Sequence, residues 1–270
     1  MVVNTKINIS EWLTLNRKSW DTRTEMHIHS DFYDLKKFKK DVNSLKSIEL
    51  NLLGDIKNES ILHLQCHFGM DSFSLEKKGA KVTALDFSPK AIAMANELKK
   101  ELGMQTDFIC ADVYEMNTKL NSKFETIFSS YGIVGWLPDI ENWAKVIQKQ
   151  LTKGGRFILV DFHPTLWMFD DDFDKISYSY FNDEPYIEIE KGSYANRDND
   201  QETKSIWWSH SLSEITSAFL DQGLKMRTFK EFDYSPYDCF KNTVEFEKEK
   251  FRIKHLGKKI PMVYAMVFEN

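Results

Sequence analysis

The chain has 270 residues, 42% hydrophobic and 29% charged, with a net charge of −5. That length suits one large α/β domain with an elaboration or two small domains, the composition is that of an ordinary globular protein, and the negative balance argues against a broad nucleic-acid surface. No apolar run is long enough to span a bilayer, three widely spaced cysteines (Cys66, Cys110, Cys239) form no disulfide framework, and the opening MVVNTKINISEW lacks a signal peptide's apolar core, so a cytoplasmic protein is expected.

The first 53 residues contain neither Gly nor Pro. SEWLTLNRKSWDTRTEMH and DFYDLKKFKKDVNSLKSIELNLLGD place apolar residues three and four apart, with Ser10 and Asp31 as candidate N-caps and Gly54 as a stop, which predicts two helices with a bend near residues 27–30. From residue 60 short apolar runs alternate with helical patterns. ILHLQ is a strand, GMDSFSLEKKG a helix and KVTALDF a strand. SPKAIAMANELKKELG is a helix with Ser88 as cap, Pro89 at its first position and Gly103 past its end. TDFICAD is a strand, VYEMNTKL a short helix, FETIFSSYG a strand and PDIENWAKVIQKQL a helix; KGGRFILVDFHP is a turn and a strand.

That alternation predicts a doubly wound, mostly parallel sheet whose strand C-terminal ends share the edge where ligands bind. After Pro164 it breaks. Residues 165–210 hold the acidic aromatic run FDDDFD, a hairpin around YIEIEKGSYANRDNDQETKSIWW, and His210. SLSEITSAFLDQG then reads as a helix, LKMRTFKEFDY as a strand, residues 236–260 as polar with scattered aromatics, and IPMVYAMVFE as a final strand. The organisation expected is an N-terminal helical cap (1–55), a nucleotide-binding core (56–164), an insertion over the ligand edge (165–210) and a C-terminal completion of the sheet (211–270).

Chemistry concentrates in ILHLQCHFGMDSFSLEKKGAKVTALDFS. A strand, a loop with Gly69, a helix and a second strand ending in Asp86 form a βαβ nucleotide-binding unit, in which Asp86 can accept both hydroxyls of a ribose. A dinucleotide loop needs glycines so that backbone N–H groups approach a pyrophosphate, whereas here Gln65 and His67 stand in two of those places. The larger side chains fit a nucleoside without phosphate, such as S-adenosylmethionine. Asp112, in ICADVYEM, ends the third strand, where it can accept from an adenine amine while Val113 donates its backbone N–H. SSYGIVGWLPD follows the fourth strand, so its loop would pass under the ribose and sulfonium.

These motifs, with LTKGGRFILVDFHP, resemble the class I S-adenosylmethionine-dependent methyltransferases over residues 58–164, and more weakly at SLSEITSAFLDQGLKM and the closing strand. The pattern HLQCHFG…DFS…ADVY…SYGxxGWLPD is similar to a bacterial branch of that family. The resemblance implies a seven-stranded Rossmann-like sheet with an antiparallel last strand, and methyl transfer to an O, N or other nucleophile of a small molecule. It implies a cofactor cradle of Gln65, Cys66, His67, Gly69, Asp86, Phe87, Asp112, Val113, Ser130 and Tyr131. The cap would lie over the cofactor mouth, with Arg23 pairing the cofactor carboxylate and Trp20, Tyr33 and Trp136 walling the substrate. His63 takes the place where the family carries an acidic residue, so Gln65 is a candidate for the methionine amino group. His163 and His210, just past the fifth strand and just before the last helix, are candidates for a general base where the nucleophile arrives protonated.

Each residue also has a plainer reading. Asp86 and Asp112 can be turn and helix-cap residues, and Cys66 a packing residue. The two histidines can be bonded to backbone, Tyr131 and Trp136 can be core, and the cap helices can simply cover a sheet edge. His63, Cys66 and His67 have H-x-x-C-H spacing with no second ligand pair, so no metal is expected. A methyltransferase-like protein that binds the nucleoside without turnover is an alternative function. A nicotinamide-dependent reductase is another, though it would need the missing glycines.

Overall fold

The computed structural model describes residues 9–181 and 184–270. Three helices open it: α1 (Ile9–His27), α2 (Leu35–Lys40) and α3 (Ser47–Leu53). The second predicted helix is therefore two. Asp34, not Asp31, caps α2 by accepting from Lys37 N, and Gly54 ends α3 with φ 64°. The break between them has a tertiary cause: Ser44 donates its backbone N–H to Ser74 Oγ and its hydroxyl to Asp71 Oδ1, at 2.9 and 2.5 Å, which takes residue 44 out of any helical ladder. The expected cap role of Ser10 falls outside the described side chains.

The core then runs β1 (Ser60–Leu64), α4 (Met70–Lys77), β2 (Lys81–Asp86), α5 (Pro89–Leu102), β3 (Asp107–Cys110), a 3-10 turn over Val113–Glu115, α6 (Met116–Lys119), β4 (Phe124–Ser130), α7 (Ile140–Gln150) and β5 (Leu151–Phe162). Helix α5 begins and ends where its caps dictate. Ser88 Oγ accepts from Ala91 N, Pro89 holds the first position, and Gly103 closes the helix in the left-handed region. The insertion forms a hairpin, β6 (Tyr186–Lys191) and β7 (Glu202–Trp207). It is followed by α8 (Leu212–Asp221), β8 (Lys225–Phe232), a second hairpin of β9 (Thr243–Glu247) and β10 (Lys250–Ile253) in the stretch read as merely polar, and β11 (Val263–Glu269).

Seven strands make the main sheet, in the order β3-β2-β1-β4-β5-β11-β8. Strands β3 to β5 are mutually parallel, and β11 lies antiparallel to both β5 and β8. This is the expected Rossmann-like architecture. Alternate residues sort to opposite faces. Leu62, Ile127, Phe157 and Leu159 pack with Trp143 of α7 and Phe219 of α8, while Ile61, Phe128, Ile158 and Val160 pack with Ile48 and Leu53 of α3 and Leu75 of α4. The rings of Phe157, Phe219 and Phe268 stack at 4.9 and 4.7 Å, so truncating Phe219 to Ala would cost about 3–5 kcal/mol. Because β1 to β5 are parallel, Leu64, Asp86, Cys110, Ser130 and Phe162 all end at one edge. The loops after them build the site.

Candidate functional site

The loop after β1 keeps the backbone shape of a glycine loop without the glycines. Gln65 (φ 53°), His67 (φ 52°) and Gly69 (φ 83°) are all left-handed, a conformation that costs a side-chain-bearing residue about 1–2 kcal/mol. Gly69 has no alternative: a Cβ there would sit 2.6 Å from the Phe108 ring. Surrounding bonds hold the two strained residues. Asp86, at the end of β2, accepts from His67 N at 2.8 Å through Oδ2 and from Ser88 N at 2.9 Å through Oδ1. The His67 ring accepts from Phe68 N at Nδ1. Asp86 therefore is a turn residue and an anchor of the first loop at once, and each of its oxygens retains capacity to accept a further hydroxyl. Burial pushes its carboxyl up to about 6, against the backbone N–H bonds from Ser88 and His67.

Helix α1 lies over this edge. Asp21 accepts from Ser88 Oγ and from Lys90 N at the start of α5, and Asn16 exchanges two hydrogen bonds with Ile206 of β7. Trp20 meets the rings of His67 and Trp136 edge-on, at 5.5 and 5.4 Å. The Arg23 guanidinium lies 5.6 and 5.4 Å from the centroids of Trp20 and Trp136. It is only 5% exposed, and its Nη2 bonds Glu190 Oε2 of β6 at 2.6 Å while its Nε is buried without a partner among the described residues. Gln65 donates Nε2 to Ile133 O at 3.3 Å, and its Oε1 is likewise buried and unpartnered among the described residues. Tyr33 packs on His67 and Phe68 and bonds Tyr194 hydroxyl to hydroxyl at 2.5 Å.

His27, unflagged in the sequence, completes the junction. Its Nδ1 lies 2.8 Å from His67 Nε2 and its Nε2 lies 3.1 Å from Ser193 Oγ in the β6–β7 loop. Since His67 Nδ1 is an acceptor, the chain assigns itself: His67 Nε2–H donates to His27 Nδ1, and His27 Nε2–H donates to Ser193. Both rings are neutral. Burial lowers His67 to about 3; burial, then His67 and Arg23, lower His27 to about 2. Sequence spacing carried a signal here, for His27 lies four residues beyond Arg23 and seven beyond Trp20, on one helical face.

Trp20, Arg23, Tyr33, Gln65, His67 and Trp136 are thus brought together. The other expected residues are placed around them. Cys66 is buried with Ala84 and Ile92, a packing position, and Phe87 O receives a weak contact from Cys110 Sγ. Asp112 caps the 3-10 turn that begins at Val113 by accepting from Tyr114 N, and burial raises its carboxyl. Ser130 donates to Asp71, and Tyr131 turns toward α3, donating to Glu49 Oε2 at 2.8 Å.

His163 and His210 stand apart from this group. His163 Nε2 is 2.9 Å from Glu231 and its Nδ1 is 2.9 Å from Thr165 Oγ1. His210 Nδ1 faces Glu214 and its Nε2 donates to Leu137 O at 2.7 Å. With both nitrogens of each ring engaged, the arrangement suits holding loops in place rather than taking a proton from a substrate. His63 points from β1 to Ser72 Oγ of α4, and among the described residues no three His, Cys, Asp or Glu side chains group as metal ligands. Asp161, also unflagged, accepts from the backbone N–H groups of Gly132, Ile133 and Val134 and so fixes the turn that carries Trp136.

Comparison with known proteins agrees with the geometry. Residues 61–155 match the family model described as a methyltransferase domain. A sterol 4-C-methyltransferase of Caenorhabditis elegans is 23% identical over 207 residues, covering 68% of this chain and 60% of that protein. A ubiquinone biosynthesis O-methyltransferase of Chromobacterium violaceum is 21% identical over 150 residues, covering 56% and 60%. The chain thus spans about 60% of the length of these curated relatives. An S-adenosylmethionine-dependent methyltransferase from Clostridium acetobutylicum shares the fold, with a TM-score of 0.56, 15% identity, and coverage of 94% of this chain and 98% of that one. The core of this chain, with its first loop, Asp86 and Asp112 along the edge of the sheet, matches a methyltransferase domain over residues 61–155 and has the fold of the S-adenosylmethionine-dependent methyltransferases.

Proposed function

We propose that the protein transfers a methyl group from S-adenosylmethionine to an oxygen, nitrogen or other nucleophile of a small molecule. The observation that carries this reading is the complementary pair beside the 133–136 turn: among the described residues Gln65 Oε1 is an acceptor lacking a donor, and Arg23 Nε is a donor lacking an acceptor. An α-amino-acid tail supplies what each lacks, since its ammonium donates and its carboxylate accepts. Asp86 would take the ribose hydroxyls, with Cys66, His67, Gly69 and Phe87 forming the walls. Asp112 and the Val113 backbone would take the adenine, and Ser130 and Tyr131 border the loop beneath the sulfonium.

The bound cofactor supplies an electrophilic methyl group on a sulfonium. The chain's own contribution is to orient and to exclude water. Trp20 and Trp136 flank the tail-binding groups, and α1 covers the edge. The sterol and ubiquinone-biosynthesis relatives support a small-molecule acceptor. Three unpaired thiols support a cytoplasmic setting, and among the described residues no helix is long and apolar enough to cross a membrane.

Calorimetry with S-adenosylhomocysteine tests the reading. Stoichiometric binding is expected, weakened about tenfold by Arg23→Ala and about fivefold by Gln65→Leu. Absence of both binding heat and thermal shift with the unmodified protein would sink it.

A further inference from the structure

Next to the first loop lies a second cluster that the cofactor does not require. Glu49 of α3 is fully buried, accepting from Lys46 N at 2.7 Å and from the Tyr131 hydroxyl. Asp71, in the first turn of α4, accepts from Ser44 and Ser130 hydroxyls. Among the described residues no lysine or arginine pairs with either carboxylate. Lys46 sends its ammonium to Glu249 instead, 5.3 Å from the Tyr237 ring centroid.

Three tyrosines, Tyr33, Tyr131 and Tyr237, neighbour the carboxylates. Tyr131 meets Tyr237 edge-on at 5.1 Å. Tyr33, whose hydroxyl feels Asp71 and Tyr237, bonds Tyr194 of the insertion. Burial first, then neighbouring phenols and carboxylates, hold the hydroxyls of Tyr33, Tyr131 and Tyr237 well above their ordinary range, so they stay neutral. Burial, then Asp71, pushes Glu49 up to about 7. The cap, the first loop, the turn after β4, the insertion and the segment after β8 all contribute, and Tyr33 packs directly on His67 and Phe68.

We infer that this cluster binds the methyl acceptor, and that the acceptor is an amine arriving as an ammonium ion, held by Glu49 and Asp71 within the tyrosine wall; this rests on the methyl-transfer reading above. Glu49 is fully buried and Asp71 half-buried, and a buried carboxylate beside a second carboxylate with no cation is costly to keep. An ammonium supplies the missing charge and N–H donors, and aromatic faces attract it. A carboxylate acceptor would be repelled, and an alcohol would leave both charges uncompensated. The clusters divide the labour by charge: Arg23 between tryptophans suits the carboxylate of the cofactor tail, and Glu49 and Asp71 among tyrosines suit a cation.

An ammonium has no lone pair, and the cluster can release one. Tyr131 Oη accepts a hydrogen from the ammonium while its own proton passes to Glu49 Oε2. The N–H bonding pair stays on nitrogen as the lone pair, and Glu49 becomes the neutral acid that later loses its proton to solvent.

The test uses the full chain saturated with S-adenosylhomocysteine, titrated calorimetrically with methylamine, phenethylamine and tyramine and with the matching alcohols and carboxylates. At least one amine is expected to bind about tenfold or more tighter than its alcohol, with no heat from the carboxylates. Glu49→Gln should abolish that preference while S-adenosylhomocysteine affinity stays within about threefold of the unmodified protein's. Binding of S-adenosylhomocysteine with no amine preferred over its alcohol or carboxylate overturns the inference alone, and so does a folded Glu49→Gln protein that keeps the preference. Failure to bind S-adenosylhomocysteine overturns the underlying reading instead. If Glu49→Gln does not fold, the charge preference of the unmodified protein decides.

Discussion

In the sheet, side chains of β1, β4 and β5 alternate between two apolar clusters, and the strands satisfy one another's backbone groups. In the layer above it, made of α1, the first loop and the β6–β7 hairpin, elements meet through rings and single polar atoms: Trp20 on His67, His27 between His67 and Ser193, Arg23 on Glu190. Buried polar atoms without a partner gather there too. Among the described residues Ser19 Oγ, Arg23 Nε, Gln65 Oε1 and Thr203 Oγ1 belong to this layer, whereas Ser129, Trp143 and Tyr264 belong to the sheet and its helices. Each such group costs about 1–3 kcal/mol. The layer is therefore the part of the molecule with most to gain from a ligand, and the part that should open first.

The sharpest way to break this contrast is at the residue that joins the two regions. Asp86→Ala leaves the N–H groups of His67 and Ser88 without their acceptor. It should destabilise the protein by about 2–3 kcal/mol in urea titration and weaken S-adenosylhomocysteine more than about a hundredfold, because the loop anchor and the proposed ribose acceptor go together. An affinity within about threefold of the unmodified protein's would show that loop and sheet are independent.

Acid should separate the regions without a mutation. The folded values of His27 and His67, about 2 and about 3, lie below the ordinary 6.5, so their contribution is complete above pH 6.5 and is lost as pH falls toward the folded values, at up to about 1.4 kcal/mol per pH unit for each ring. Glu49 and Asp86 act with the opposite sign: their contributions are present below their ordinary values of 4.5 and 3.8 and fade as pH rises through about 7 and about 6. Hydrogen exchange followed downward from pH 6.5 should show α1 and residues 192–201 losing protection before β4 and β5, with His27→Asn shrinking the difference. Simultaneous loss everywhere would mean one cooperative unit.

The smallest effect is expected inside the sheet. Tyr264 is 1% exposed and its hydroxyl has no partner among the described residues, beside Asp161, Trp208 and His210. Tyr264→Phe should change stability by less than about 1 kcal/mol, toward stabilisation, in thermal melts. A loss of more than about 2 kcal/mol would reveal a hydrogen bond made in solution and bring the sheet closer in character to the layer.

What the sequence made legible follows the same division. Ser88, Pro89 and Gly103 announce α5 locally, and Asp86 announces itself by ending a strand after a helix and a tight loop. Glu49 within SIELNLL and Asp71 after Gly69 look like ordinary polar residues, because the burial of Glu49 and the partners of both depend on α3 and α4 packing beside Tyr131 and Ser44. The break before α3 was hidden for the same reason: its cause lies 27 and 30 residues away, at Asp71 and Ser74. The β9–β10 hairpin, with β9 almost wholly exposed and β10 half-buried or buried along its length, gave no clear period-two apolar face to read.

The left-handed Gln65 and His67 bear on how separable the cap is. A glycine loop holds its shape whatever covers it, so a cap above such a loop can be exchanged as a module. Here the loop is pinned from below by Asp86 and from above by rings that the cap supplies. Grafting a cap from a relative with a glycine loop would leave His67 without His27, Trp20 and Tyr33, and the strain would be released by reshaping the loop itself. Cap and cofactor loop therefore have to change together, as one unit of inheritance and of design.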